Sequence, residues 1–151
     1  MKHVGSCLCG AVHFEIEGTF EDFYLCHCEK CRKDTGSAHA ANLFSSKATL
    51  KWLSGEDQVK TFNHQGERHI KSFCVTCGSA LPNMQMDGKL LVVPAGSLDS
   101  DIDIKPKGIF FLKVRPIGIK TLRKQKNLKI TPKMINMKYL LNVVGIHDDM
   151  I

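Results

Sequence analysis

Val12, Phe14 and Ile16 alternate with His13, Glu15 and Glu17. A period of two places one face of a strand against a core and the other in water. Phe23-Tyr24-Leu25 is a short strand running into Cys26-His27-Cys28, and Lys30 to Thr35 is a helical turn or so, closed by Gly36. Ala40 to Phe44 and Ala48 to Leu53 have strand composition, with Ser54-Gly55 as a turn. Val59 to Asn63 and Arg68 to Phe73 form a hairpin around Gln65-Gly66. Cys74 to Gly78 and Met86-Asp87-Gly88 are turns, and Lys89 to Pro94 is a further strand. No helix of twelve residues is evident before position 105, and no repeat or linker divides the first 103 residues. Short strands with frequent turns predict a mostly β fold of packed antiparallel sheets.

The chain has 151 residues, enough for one domain to bury about 68–70% of its unfolded surface. No apolar run is long enough to span a bilayer, and MKHVGSCLCG has no apolar segment of the kind a secretory signal needs. The formal charge of +6 is unevenly spread. Residues 1–103 hold 10 Lys+Arg and 13 Asp+Glu, net −3; residues 104–151 hold 11 Lys+Arg against Asp148 and Asp149, net +9. Such a tail suits nucleic acid or an anionic surface, or is a solvated segment foreign to the fold.

The seven cysteines cannot all pair within one chain. Their close spacing suits metal ligation in a reducing compartment, so a cytoplasmic location is expected. Cys7-x-Cys9-Gly10 and Cys74-x-x-Cys77-Gly78 are two knuckles whose glycines permit tight turns. Together they offer four sulfurs, enough for a closed structural zinc; a buried thiol pair or a redox motif is the plainer reading of either knuckle alone. Cys26, Cys28 and Cys31 form C-H-C-E-K-C. Three thiolates leave one tetrahedral position open, as in catalytic zinc sites, unless a histidine closes it: His27, His13, His39, His64 and His69 are available. An open thiolate-rich site suits exchange of a soft ligand such as a thiol, held there as the thiolate. His27 is a proton shuttle or, more often at such a position, a polar loop side chain. Arg32 and Lys33 would attract a carboxylate or simply be solvated, and Trp52 is expected in the core.

GSCLCGAVHFEIEG, CHCEKCRKDTGSA, FCVTCGSALPN and VVPAGSLD, taken in order, resemble the glutathione-dependent formaldehyde-activating enzyme family, also called the centromere protein V domain. The resemblance covers residues 1–108 as one zinc domain. It implies an Mss4-like complex of antiparallel sheets organised around two Zn²⁺ ions. One is structural, on Cys7, Cys9, Cys74 and Cys77; the other is catalytic, on Cys26, Cys28 and Cys31. It also implies a carbon–sulfur lyase or synthase joining a thiol such as glutathione to an aldehyde such as formaldehyde. The competing class is a non-enzymatic zinc module that binds a protein or nucleic acid.

Residues 109–151 depart from the family. Where its members continue with S-K-A-x-W-Y and end near F-x-x-Y-P, this chain reads GIFFLKVRPIGIKTLRKQKNLKITPKMINMKYLL. Read one base out of register, synonymous codons for Lys113 to Lys138 permit a W-Y pair, an acidic run and F-x-x-Y-P in that order. The tail is therefore expected to be an out-of-frame segment, with Lys120 to Lys129 poorly packed and at most an adventitious helix at Met134 to Val144. Its charge then says nothing about nucleic acid, which is not an expected partner; nor is a membrane.

Overall fold

The computed structural model describes residues 1–64 and 69–111. Among these residues, eleven strands and one short α-helix occur in the order β1 (Lys2–Ser6), β2 (His13–Glu17), β3 (Asp22–Cys26), α1 (Glu29–Thr35), β4 (Ala40–Ser45), β5 (Thr49–Ser54), β6 (Val59–Asn63), β7 (Ile70–Cys74), β8 (Ala80–Leu81), β9 (Asn83–Gln85), β10 (Leu90–Pro94) and β11 (Gly108–Phe110). They form three sheets, ordered β1-β2-β5, β11-β3-β4-β10-β9 and β6-β7-β8. This is the mostly β, multi-sheet architecture the alternation predicts. Among the described residues, no helix is long and apolar enough to cross a membrane.

The core follows from the period-two patterns. Phe14 and Ile16 are fully buried while His13 and Glu17 face outward. Each such apolar side chain stabilises the fold by roughly 1.5–3 kcal/mol through its removal from water. Leu43 of β4, Leu81 of β8, and Leu91 and Val93 of β10 join the same cluster, so the core is shared by all three sheets. Trp52 packs edge-on against Phe14, with ring centroids 5.9 Å apart, and lies at the margin of this core as expected. Cys7 and Cys74 are buried within it too, which fuses the first cysteine cluster to the apolar interior.

Two pairings exceed the local pattern. Strand β1 precedes the first alternating segment and carries only one buried residue, Gly5; it is defined by its ladder to β2, Gly5 opposite Phe14. Strand β11 pairs with β3 in parallel, Ile109 opposite Leu25, whereas every other strand pairing among the described residues is antiparallel. The hairpin of β6 and β7 forms as expected, Val59 opposite Cys74 and Asn63 opposite Ile70. Its expected apex at Gln65-Gly66, and the expectations for Lys120 to Lys129 and Met134 to Val144, lie outside the described residues.

Candidate metal centre

The first cluster is assembled by two turns far apart in sequence. After β1, Cys7 N–H donates to the Val12 carbonyl (3.0 Å), and Gly10 N–H donates to the Cys7 carbonyl (2.9 Å) with φ of 73°. After β7 the same device recurs: Gly78 N–H donates to the Cys74 carbonyl (2.8 Å), with φ of 75°. Both glycines occupy the left-handed region that a side chain would strain. The Sγ atoms of Cys7, Cys9, Cys74 and Cys77 all lie within 4.8 Å of one another. Cys7 Sγ is 3.5 Å from Cys9 Sγ, and Cys9 Sγ is 3.8 Å from Cys74 Sγ. Four sulfurs at about 2.3 Å from a tetrahedral zinc stand about 3.8 Å apart, so this donor set fits that ion.

Ser79 links the two turns. Its hydroxyl oxygen accepts from Leu8 N–H (3.0 Å) and from the Cys77 thiol (3.2 Å), and once that sulfur is ionised the hydroxyl donates to it instead. The Ser79 hydroxyl and amide pull the Cys77 thiol down to about 5. Burial opposes charge on Cys7, yet the Val12 amide and the adjoining thiols outweigh it and the thiol falls below its ordinary value. At Cys9 the Ala11 amide favours the thiolate, but the shared protons of Cys7, Cys77 and Cys74 push it up to about 12. Four thiols this close together exchange hydrogen bonds and titrate as a group, not singly.

The second cluster is local. Cys26 ends β3 and Cys28 caps α1, with extended backbone (φ −61°, ψ 159°) and Sγ accepting from Cys31 N–H at 3.4 Å. Cys31 lies one turn into the helix, so all three Sγ atoms fall within 4.8 Å and are half-buried. Burial raises Cys26 and Cys31; Cys28, despite its own burial, is lowered by the amide of Cys31 and the neighbouring thiols. No histidine joins this group among the described residues. His27 is no loop side chain in water: it is 5% exposed, its Nδ1–H donates to the Ala38 carbonyl at 2.9 Å, and its ring lies 5.1 Å from that of His39. The backbone of β11 supports it, as His27 N–H donates to the Phe110 carbonyl (3.0 Å). Both cysteine groups can hold a metal ion, one with four sulfurs and one with three.

The triad stands between two clefts. Cys28 opens to one of about 660 Å³, walled by Lys33, Phe62 and Phe111. Cys26 and Cys31 open to one of about 200 Å³, lined by Tyr24, Asn42 and Phe44. Asp34, His69 and Lys71 border both. Lys71 Nζ lies 2.8 Å from the Asp34 carboxylate and also donates to the Asp34 carbonyl at 2.6 Å; His69 Nε2 is 3.4 Å from the same carboxylate. Sequence reasoning offered His69 only as a metal ligand and passed over Asp34, Lys71 and Asn42, because nothing local joins positions 34 and 71. Lys33 borders the larger cleft but is exposed and paired with Glu29 at 2.7 Å, one helical turn away.

These features are those of a mostly β domain with two cysteine groups that can hold metal ions, one of four sulfurs and one of three. Residues 2–114 match the family model described as glutathione-dependent formaldehyde-activating enzyme, and the chain belongs to that family. A Halomonas elongata protein, named as a candidate glutathione-dependent formaldehyde-activating enzyme, is 33% identical over 117 residues, covering 72% of this chain and 73% of its own. The crystal structure of a Rhodobacter sphaeroides protein superposes with a TM-score of 0.56 at 24% identity, covering 72% of this chain and 99% of that one, a likeness of fold.

Proposed function

We propose that this protein is a cytoplasmic, zinc-dependent carbon–sulfur lyase or synthase. Its substrate is a thiol–aldehyde adduct of the S-hydroxymethylglutathione type. Cys7, Cys9, Cys74 and Cys77 hold a structural Zn²⁺, and Cys26, Cys28 and Cys31 hold a catalytic one. The observation that carries this reading is the contrast between a four-sulfur group anchored in the core through Cys7 and Cys74 and a three-sulfur group bordered by two clefts. An open coordination position beside a cleft is what substrate exchange requires. All seven cysteines are free thiols, in keeping with a reducing compartment.

When bound at the triad, zinc supplies a position that keeps a substrate thiol in its thiolate form at neutral pH. The protein does the rest. The cap geometry of Cys28 and the first turn of α1 hold three sulfurs on one side, leaving the opposite side to substrate. Lys30, Lys33 and Lys71 outnumber Glu29 and Asp34 in the lining of the larger cleft, which leaves it a positive balance that suits a carboxylate-bearing thiol. Phe62 and Phe111 cover its apolar flank and reduce the water around the reacting sulfur. In the forward direction the thiolate sulfur forms the C–S bond, the carbonyl π pair moves to oxygen, and that oxygen takes up the proton the thiol gave up, through solvent.

Exchange NMR on glutathione and formaldehyde, with and without protein, tests the reading directly. The interconversion of free and adduct forms should accelerate with the holoprotein and not with protein stripped by chelator. Unchanged exchange across several thiols and aldehydes would reject it.

A further inference from the structure

We propose that the smaller cleft is the carbonyl subsite and that the side-chain amide of Asn42 donates a hydrogen bond to the oxygen that becomes the adduct hydroxyl; this rests on the thiol–aldehyde reading above. Size divides the two clefts first. Sites for drug-sized ligands begin near ~300 Å³, so the cleft of about 660 Å³ can hold a tripeptide thiol, whereas the one of about 200 Å³ suits a small carbonyl compound. Both meet the cysteine triad, the larger at Cys28 and the smaller at Cys26 and Cys31.

Register then places Asn42. Tyr24 lies opposite Asn42 and Cys26 opposite Ala40, so Asn42 is the diagonal neighbour of Cys26 on the adjoining strand. Such diagonals are about 7–8 Å apart at the backbone, within reach of a small molecule held between the side chains. Both residues line the same cleft. Asparagine is depleted in strands, yet Asn42 sits inside β4, half-buried, and its amide makes no hydrogen bond to any other described residue. An amide that lines a cleft from a strand interior, with no partner among the described residues, has its donor available to a small ligand held there. A neutral amide donor also matches the chemistry. Oxygen gains charge as sulfur attacks carbon, and a fixed donor stabilises it without supplying a proton.

The test uses the full chain with both metals loaded, as Asn42→Ala and as the near-isosteric Asn42→Asp, which replaces the donor with an acceptor. Loss of one such donor typically costs ~10²–10³-fold in rate, so kcat/KM for formaldehyde should fall by about that factor while KM for glutathione stays within about twofold. A second measurement needs no turnover. Calorimetric titration should show wild type binding S-(2-hydroxyethyl)glutathione about tenfold more tightly than S-ethylglutathione, the worth of one hydrogen bond, and either variant losing that preference. Variants that keep both metals, turn over as wild type does and retain the hydroxyl preference would overturn the assignment. If wild type itself gives no acceleration, the thiol–aldehyde reading fails separately. The hydroxyl preference then still decides for Asn42 if the variants lose it, and against Asn42 if they keep it.

Discussion

Cys7 and Cys28 are the same residue type with different surroundings, and that difference sets what each substitution should do. Cys7 is 3% exposed and part of the apolar cluster. Structural zinc contributes apparent folding free energy on the order of 10 kcal/mol, so Cys7→Ser should abolish cooperative unfolding and release metal from the four-sulfur group. Cys28→Ser should leave near-native circular dichroism and weaken only the three-sulfur group. Metal analysis beside thermal melts separates the two, and equal behaviour would defeat the division of roles. Ser79→Ala removes the donor that most lowers the Cys77 thiol. That thiol should rise, so protons displace the metal at a higher pH, with affinity falling ~10–100-fold as for other outer-shell partners. Zinc release followed with a chromophoric indicator across pH measures it, and a coincident release curve for the variant would count against the role. Glu21 offers a second pH signature. Its carboxylate accepts from Ser46 N–H (3.0 Å) and the Ser46 hydroxyl (2.9 Å), which hold its pKa below the ordinary 4.5. A depressed carboxyl contributes stability above its unfolded value and loses it as pH falls through the folded one. Urea midpoints of wild type and Glu21→Gln should therefore converge below about pH 4.5, and a pH-independent gap would contradict the linkage.

Elements here are short, so single backbone positions decide whether they connect. Gly55 follows β5 with φ of 69°, and a Cβ there would run into the Ala11 carbonyl, beside the first cysteine turn. Gly55→Ala should cost about 1–3 kcal/mol from strained backbone and crowding together, read as a lowered urea midpoint with unchanged slope. A variant as stable as wild type would mean the Ala11 turn can yield. The alternation in β2 and the turn chemistry after β7 were legible from the chain, because side-chain polarity and glycine act locally. Strand β1 was not: Lys2 to Ser6 carries little apolar alternation and owes its conformation to the ladder with β2. Strands β8 and β9, two and three residues long, are likewise products of pairing with β7 and β10.

At the scale of the whole chain, the charge balance changes from −3 over residues 1–103 to +9 over residues 104–151. Gly108–Phe110 belong to the sheet that carries Cys26. We propose that residues 1–108 are the family domain and that the basic segment beyond is out of frame. Resequencing the coding DNA and measuring intact mass should reveal a frame interruption near Gly108; an uninterrupted frame would end the idea. A chain stopped after Phe111, which keeps β11, should still bind both metals and unfold at the same denaturant concentration, and loss of either metal would show that the tail serves the fold.

The sequence by itself determined the family, the mostly β class and the membership of both cysteine groups, because cysteine spacing and flanking glycines are short-range constraints that survive without coordinates. Tertiary structure alone decided how those groups are set. It drew Cys7 and Cys74 into one core across 67 residues, buried His27 against Ala38, and left three sulfurs without a histidine among the described residues. It also placed Asp34 beside His69 and Lys71, and Asn42 diagonal to Cys26. Those neighbours arise from strand register and from a helix docked on a sheet. Both depend on the summed packing of the whole molecule, which no local run of residues encodes.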